Sequence, residues 1–301
     1  MTAPVAPFGR VLTAMVTPFT ADGRLDLDAA QRLAVHLVDQ GNDGLVVSGT
    51  TGEAPTTTRE EKADLLRAVV EAVGGRAHVL AGAGTNDTRH SLELAADAEK
   101  AGATGLLLVT PYYSKPPQAG IVAHTVAVTE STALPVMLYD IPGRTGLALE
   151  PATVLQLAEH PQIVALKDAK DDVAATAWLL SRCDLAVYSG TDALNLPLLS
   201  VGACGFVSVV SHLVTPQLVE LVASFHAGDV ARARALNAEL QPVYTGLFRS
   251  QGAILTKAAL RLQGIETGPV RLPLIDATDS QVAVLRADLA AAGVSTEKVS
   301  A

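Results

Sequence analysis

Ile163-Val164-Ala165-Leu166-Lys167-Asp168 is an apolar run that closes on a cation, and upstream of it Pro135-Val136-Met137-Leu138-Tyr139-Asp140 closes on a tyrosine. Strands of a parallel sheet are apolar throughout because both faces are covered, and their carboxyl ends carry the chemistry. A lysine at such an end is partly desolvated, and burial favours the neutral amine, the form that attacks a carbonyl. A tyrosine at the preceding strand end is placed to move the protons that such chemistry needs. The pair is the layout of a Schiff-base enzyme. Taken alone, Lys167 also fits a side chain that snorkels from a strand end into water.

Working outward, short apolar runs recur at 11–16, 44–47, 78–81, 105–109, 135–139, 163–167, 185–188 and 205–210. Helix-like amphipathic stretches lie between them at 28–40, 59–73, 91–101, 120–132, 151–158 and 193–201. Strands alternating with helices imply right-handed βαβ units, here eight of them, closing into an α/β TIM (β/α)₈ barrel. An open doubly wound sheet is the alternative. After Val210 the strand pattern stops: Thr215 as N-cap and Pro216 at the first helical position open a helix that can serve as the barrel's eighth. Further helical pattern at 229–247, 253–262 and 280–292 makes a helical C-terminal appendage. The expected division is a catalytic barrel over 1–227 and a helical region over 228–301.

The chain has 301 residues, 49% of them hydrophobic but only 4% aromatic, so the core must be built from Ala, Val, Leu and Ile. A net charge of −9 argues against nucleic acid as a partner, since phosphate binding needs a basic face. Cys183 and Cys204 stand in unrelated contexts, which argues against a disulfide framework or a CxxC metal site and for a reducing setting. No basic, apolar and small-residue succession marks the N-terminus, and no stretch reaches the roughly 18 apolar residues of a membrane span. A soluble, cytoplasmic protein without a membrane partner is expected.

Six of the seven lysines read as solvated surface charges: Lys62 and Lys100 on charged helical faces, Lys115 in a proline-rich loop, Lys170 among aspartates, Lys257 near a helix start and Lys298 in the tail. After the second run, Ser48-Gly49-Thr50-Thr51-Gly52-Glu53 combines small residues, whose backbone amides can converge on an anion, with hydroxyls that can relay a proton. An ordinary βα turn is its plain reading. Gly82-Ala83-Gly84-Thr85-Asn86 lacks the third glycine and acidic partner of a dinucleotide site and reads as turn geometry. Thr110-Pro111-Tyr112-Tyr113-Ser114-Lys115-Pro116 puts two tyrosines, of only five in the chain, on a stiff loop where they could equally pack an interface. Arg144, close after Tyr139, offers a guanidinium fork to a carboxylate, or forms a surface ion pair. The seven histidines show no metal-ligand spacing and read as helix-surface or capping residues.

Together, Gly49-Thr50-Thr51-Gly52-Glu53, the Tyr112-Tyr113 segment, Tyr139-Asp140-Ile141-Pro142-Gly143-Arg144-Thr145-Gly146 and Leu166-Lys167-Asp168-Ala169 resemble the motifs of the dihydrodipicolinate synthase family, also called the 4-hydroxy-tetrahydrodipicolinate synthase family. The resemblance runs from Thr17-Pro18-Phe19 into the C-terminal helical region. It implies a pyruvate-dependent class I lyase with no metal or organic cofactor, a TIM-barrel fold and a homotetramer, a dimer of dimers. Its substrates are pyruvate and L-aspartate 4-semialdehyde. The resemblance assigns Lys167 to the imine with pyruvate and Tyr139 to general acid/base work, linked through hydroxyls to Thr50 and Tyr113. Tyr113 is expected to reach in from a neighbouring subunit. Thr51, with the backbone around Thr50, is assigned to the pyruvate carboxylate, and the Val207 main chain to the completion of that pocket. Arg144 is assigned to the carboxylate of the aldehyde, and Gly190 to keeping the floor of the site open.

Three departures stand out. Ser114 replaces a frequent Asn, and Thr191-Asp192 replaces a frequent Asp-Asp; both are expected only to tune loops. Lysine-inhibited relatives bind the inhibitor in a cleft that corresponds here to Ala54, Pro55, Arg59, Lys62, Asn86, His90 and Tyr112, where no anion faces an incoming ammonium. Weak or absent lysine inhibition is expected. A sibling pyruvate lyase (N-acetylneuraminate lyase or a 2-keto-3-deoxy-sugar-acid aldolase) is the nearest alternative, against which Arg144 and the tyrosine pair speak. A non-catalytic metabolite-binding barrel is the alternative of another class; it is expected to lose Lys167 or Tyr139.

Overall fold

In the computed structural model residues 4–296 are described, which leaves Lys298 outside them. Among the described residues each of the eight apolar runs becomes a parallel strand: β1 Val11–Ala14, β2 Gly44–Val47, β3 His78–Gly82, β4 Gly105–Val109, β5 Val136–Asp140, β6 Ile163–Asp168, β7 Ala186–Ser189 and β8 Gly205–Ser208. They close in chain order into one barrel. The pairing of β1 with β8, Leu12 opposite Val207, removes the open sheet.

Side chains alternate between the two faces of a strand. On β5 and β6 this sends Met137, Tyr139 and Ala165 into a core inside the barrel with Leu12, Val46, Tyr188 and Val207. Leu138 and Leu166 point the other way, into the larger layer between strands and helices. The register sets Tyr139 opposite Lys167 and Lys167 opposite Tyr188. An apolar run with a lysine in phase with its inward residues therefore delivers that lysine to the barrel axis, near the carboxyl ends of the strands.

Several of the helices start where short polar side chains take up free amides. Asp26, Asp87, Asp172 and Asp229 accept from the first turns of their helices, and Thr58 with Glu61 forms a capping box on the helix Arg59–Val73. One barrel helix, Val173–Leu180, is not foreseen, because Val-Ala-Ala-Thr-Ala-Trp-Leu-Leu has no polar face to mark a period. A helical segment does begin at Thr215-Pro216, after a non-helical Val214, but the capping role expected of Thr215 is corrected. The helix runs Ser211–His226, and Thr215 follows a break at Val214. Its hydroxyl donates back to the Ser211 carbonyl and accepts from Asn42 Nδ2, so it does not cap the turn ahead. The helical pattern over 229–247 resolves into two helices, Val230–Glu239 and Gln241–Leu247; Pro242 lacks the amide that continuity requires. Leu236, Val243, Leu255, Leu285 and Leu289 of the C-terminal helices share a core with Val11 of β1, Phe206 of β8 and Leu218.

Several charged and titratable side chains read as superficial are buried. Lys257 is fully enclosed, Lys170 has a side chain only 11% exposed, and Lys62 is half-buried with Nζ donating to the Ala54 and Thr57 carbonyls. His124 and His212 are buried too. His212 Nε2 accepts the Val16 amide at 3.1 Å, so its Nδ1–H donates to the Val209 carbonyl at 2.8 Å, and the ring fastens the end of β1 to the end of β8. Burial pushes this imidazole down from 6.5 to about 4. The unfolded chain then binds the proton first as pH falls. Stability from this residue is complete above pH 6.5 and declines toward pH 4, by up to about 3 kcal/mol. Denaturant titrations at stepped pH are expected to show a shallower acid-side decline for His212→Gln than for the unmodified chain; equal slopes would refute the assignment.

Candidate active site

Lys167 and Tyr139 are each only 4% exposed, and Lys167 Nζ lies 4.3 Å from the centre of the Tyr139 ring. Neighbouring strands hold both residues in register, so their relative position is set by the barrel. The end of β5 is itself tied down: the Tyr139 carbonyl accepts the Thr110 amide at 3.0 Å and the Thr110 hydroxyl at 3.1 Å. Gly190, just past β7, leaves room for the lysine. A Cβ there would stand 3.0 Å from Lys167 Cγ, Lys167 Cε and the Asp168 carbonyl. Only a hydrogen fits at that distance without moving the amine. Val207 is fully buried on β8 and shares the inner core with Tyr139 and Tyr188.

The loop after β2 is held in an unusual shape. Ser48 and Glu53 bracket it with φ of +56° and +55°, conformations that non-glycine residues rarely adopt without tertiary support. Gly52 fits against the Met15 carbonyl and Thr17, whose hydroxyl donates to the Gly52 carbonyl at 2.6 Å. Thr51 is buried, Thr50 half-buried, and the Ser48 hydroxyl is buried without a protein partner.

A cavity of about 490 Å³ opens against these residues. Its walls include Gly49, Thr50, Tyr139 and Arg144, and it extends toward Tyr112, Asn86, His90 and Lys62. The structure thus gathers Thr50, Tyr139 and Arg144 on one cavity, with Lys167 against Tyr139 and Thr51 adjoining Thr50 in the chain. Tyr113 is not on that wall. It is 88% exposed with φ of +70°, whereas its neighbour Tyr112 faces the cavity.

Buried carboxylates support the inward chemistry, and of Asp140, Asp168 and Asp192 the sequence drew attention to Asp192 alone, as a loop residue. Asp140, next to Tyr139, is fully buried and accepts the Leu149 amide on both oxygens at 3.2 Å; Lys170 Nζ stands 3.6 Å away. Desolvation pushes its carboxyl up to about 6, with Lys170 pulling back. It staples the loop 141–149, which carries Arg144, to the end of β5. Asp168, next to Lys167, accepts from the Thr176 hydroxyl at 2.5 Å and the Lys170 amide at 3.0 Å. Asp192 goes beyond the loop tuning expected of it. It is buried and accepts from the Ser208 hydroxyl at 2.5 Å and from the Val209 and Val210 amides at 2.9 and 3.1 Å, so it locks the segment after Gly190 onto the end of β8 beside Val207. Burial raises its carboxyl above the usual range. Among the described residues no group of three or more His, Cys, Asp and Glu side chains is arranged to share a metal ion.

A buried amine against the ring of a tyrosine that lines a cavity, which a guanidinium also faces, suits covalent capture of a ketone followed by attack on a second, anionic substrate. The family model of the dihydrodipicolinate synthetase family matches residues 7–292. The chain is 66% identical over 288 residues to the 4-hydroxy-tetrahydrodipicolinate synthase of Acidothermus cellulolyticus, covering 96% of this chain and 94% of the relative. It is 62% identical over 291 residues to 4-hydroxy-tetrahydrodipicolinate synthase 2 of Streptomyces coelicolor, covering 97% of each. A solved dihydrodipicolinate synthase from Cyanidioschyzon merolae with lysine bound has a TM-score of 0.94 at 44% identity, covering 96% of this chain and 99% of that one.

Proposed function

The chain belongs to the dihydrodipicolinate synthetase family, and from that premise we propose that it condenses pyruvate with L-aspartate 4-semialdehyde to 4-hydroxy-tetrahydrodipicolinate, a lyase reaction of diaminopimelate and lysine biosynthesis. The observation that carries the reading is Lys167, a residue 4% exposed whose amine lies 4.3 Å from the Tyr139 ring centre, at the strand ends of the barrel.

The amine of Lys167 adds to the ketone of pyruvate, and a proton delivered through Tyr139 lets water leave as the iminium forms. The iminium is an electron sink, so a methyl proton departs and an enamine results. The enamine carbon attacks the aldehyde of the second substrate while Tyr139 supplies the proton that the new alkoxide takes up. The substrate's own amine then displaces Lys167 by transimination, which closes the ring and frees the enzyme. Thr51, the backbone around Thr50 and the Val207 main chain hold the pyruvate carboxylate, Gly190 leaves the floor open, and Thr50 and Tyr113 pass the proton between Tyr139 and solvent. Tyr113, so exposed in one chain, comes from a neighbouring copy in the assembly we propose, a homotetramer. The barrel over 1–227 supplies every one of these groups, with 228–301 as the helical appendage. A cytoplasmic setting accords with two cysteines left free.

A coupled assay with both substrates, following product through the next reductase, tests the reading. Turnover supports it; absence of turnover while pyruvate still couples to Lys167 moves the reading to a sibling lyase with another aldehyde. Arg144→Ala is expected to raise KM for the aldehyde about 10- to 100-fold, the worth of one charge-assisted contact, and to leave KM for pyruvate within twofold. A rise in both by the same factor contradicts the assignment. The cleft around Lys62 bears on inhibition. Burial draws its ammonium down to about 8, and Arg59 beside it is engaged by Asp97 at 2.5 Å and Glu93 at 3.2 Å. Low-millimolar lysine is expected to leave most turnover intact; loss of most activity overturns that.

A further inference from the structure

Beneath the threonine loop lies an ion pair that no step above uses. Glu53 closes Gly49-Thr50-Thr51-Gly52-Glu53, and Lys257 sits on the helix Gly252–Leu262. Both side chains are 0% exposed, with Nζ 2.8 Å from Oε1. The second Glu53 oxygen accepts the Arg271 amide at 2.8 Å, and Lys257 also donates to the Pro269 carbonyl at 2.8 Å. The Arg271 guanidinium reaches the loop from the other side, donating to the Thr56 carbonyl at 2.8 Å and to both oxygens of Glu61 at 2.6 and 2.7 Å. Both cations lie over the ring of Phe19, at 4.3 and 4.1 Å.

A buried ion pair is poor value for stability alone, because desolvation consumes most of the Coulombic gain. Its use is to specify one geometry, and the geometry here is a strained one. Glu53 stands in the left-handed region, its amide donates to the Thr50 carbonyl at 3.2 Å, and the next amide donates to the Gly49 carbonyl at 3.3 Å. A shift of the carboxylate therefore moves the peptide units on either side of Thr51.

We propose that Glu53 is a positioning residue for the keto-acid carboxylate: clamped by Lys257 and by the Arg271 amide, it holds the loop 49–52 in the shape in which Thr51 meets that carboxylate. The C-terminal region thereby takes part in binding a substrate it does not touch. This rests on the reading of Thr51 given above.

The test is borohydride trapping of pyruvate on Lys167 as a function of pyruvate concentration. The unmodified chain is compared with Glu53→Gln/Lys257→Met, which removes both charges together, at the cost of the donor to the Pro269 carbonyl. The half-saturating pyruvate is expected to rise at least tenfold while KM for the aldehyde stays within twofold. A purely structural pair would lower the melting temperature and leave the pyruvate requirement unchanged, and that outcome overturns the proposal. Should the double variant not hold its fold, Glu53→Asp retains the charge but shortens the clamp by one methylene; it is expected to raise the pyruvate requirement, and an unchanged value overturns the proposal equally. An unmodified chain that traps no pyruvate fails the substrate reading instead, and the positioning role falls with it.

Discussion

Lys167→Ala is expected to lower turnover at least about 10⁴-fold, because no other amine can take over a covalent step that the barrel aims at one point. That corresponds to about 5 kcal/mol of barrier. Of the lysines near the site, Lys170 faces outward onto Asp140, and Lys62 is bound to the Ala54 and Thr57 carbonyls. Lys62 lines the same cavity as Tyr139, but its amine is taken up by those carbonyls, and Lys170 is not on that wall. Removing a buried side chain also leaves a void, so Lys167→Met, which keeps the volume of the stem, separates chemistry from packing. Both variants are expected to be equally inactive, with Lys167→Met melting closer to the unmodified chain. Steady-state assay beside thermal melts checks this; residual turnover above about a hundredth of normal in either variant contradicts covalent catalysis at this residue.

Tyr139→Phe is expected to cost about 10²- to 10⁴-fold in kcat, the usual worth of a placed general acid/base. Phenylalanine keeps the ring that Lys167 Nζ approaches to 4.3 Å and the apolar contacts inside the barrel. The loss therefore belongs to the hydroxyl. Pyruvate should still be captured on Lys167 at saturating concentration, more slowly, because nucleophile and carbonyl remain in place while the proton carrier is gone. Single-turnover kinetics distinguish this from a packing defect: imine formation that is slow but complete agrees, and no imine at any pyruvate concentration disagrees.

Much of this architecture was legible because a parallel barrel writes itself as short apolar runs at regular intervals, and a lysine in phase with inward residues breaks such a run visibly. Lys167, Tyr139, Thr50 and Arg144 could be singled out for that reason, each standing at or just after a strand end. Val173–Leu180 was hidden by the same logic, since an apolar helix without a polar face has no period to detect. The buried charges were illegible for another reason. Lys257 pairs with Glu53 across most of the chain, and Asp192 meets the Val209 and Val210 amides only once β7 and β8 are side by side. Nothing in the local sequence separates such a residue from a solvated one. Thr215 shows a third limit: its hydroxyl had two possible uses, and Asn42, distant in sequence, decided between them.

The most direct test of Lys167 as the nucleophile is to reduce the protein with borohydride in the presence of pyruvate alone, digest it and locate the added mass. One reduced pyruvate per chain on the peptide that carries Lys167, and none in Lys167→Met, is the expected result. No adduct, or an adduct on Lys170 or Lys62 with Lys167 unmodified, would contradict it.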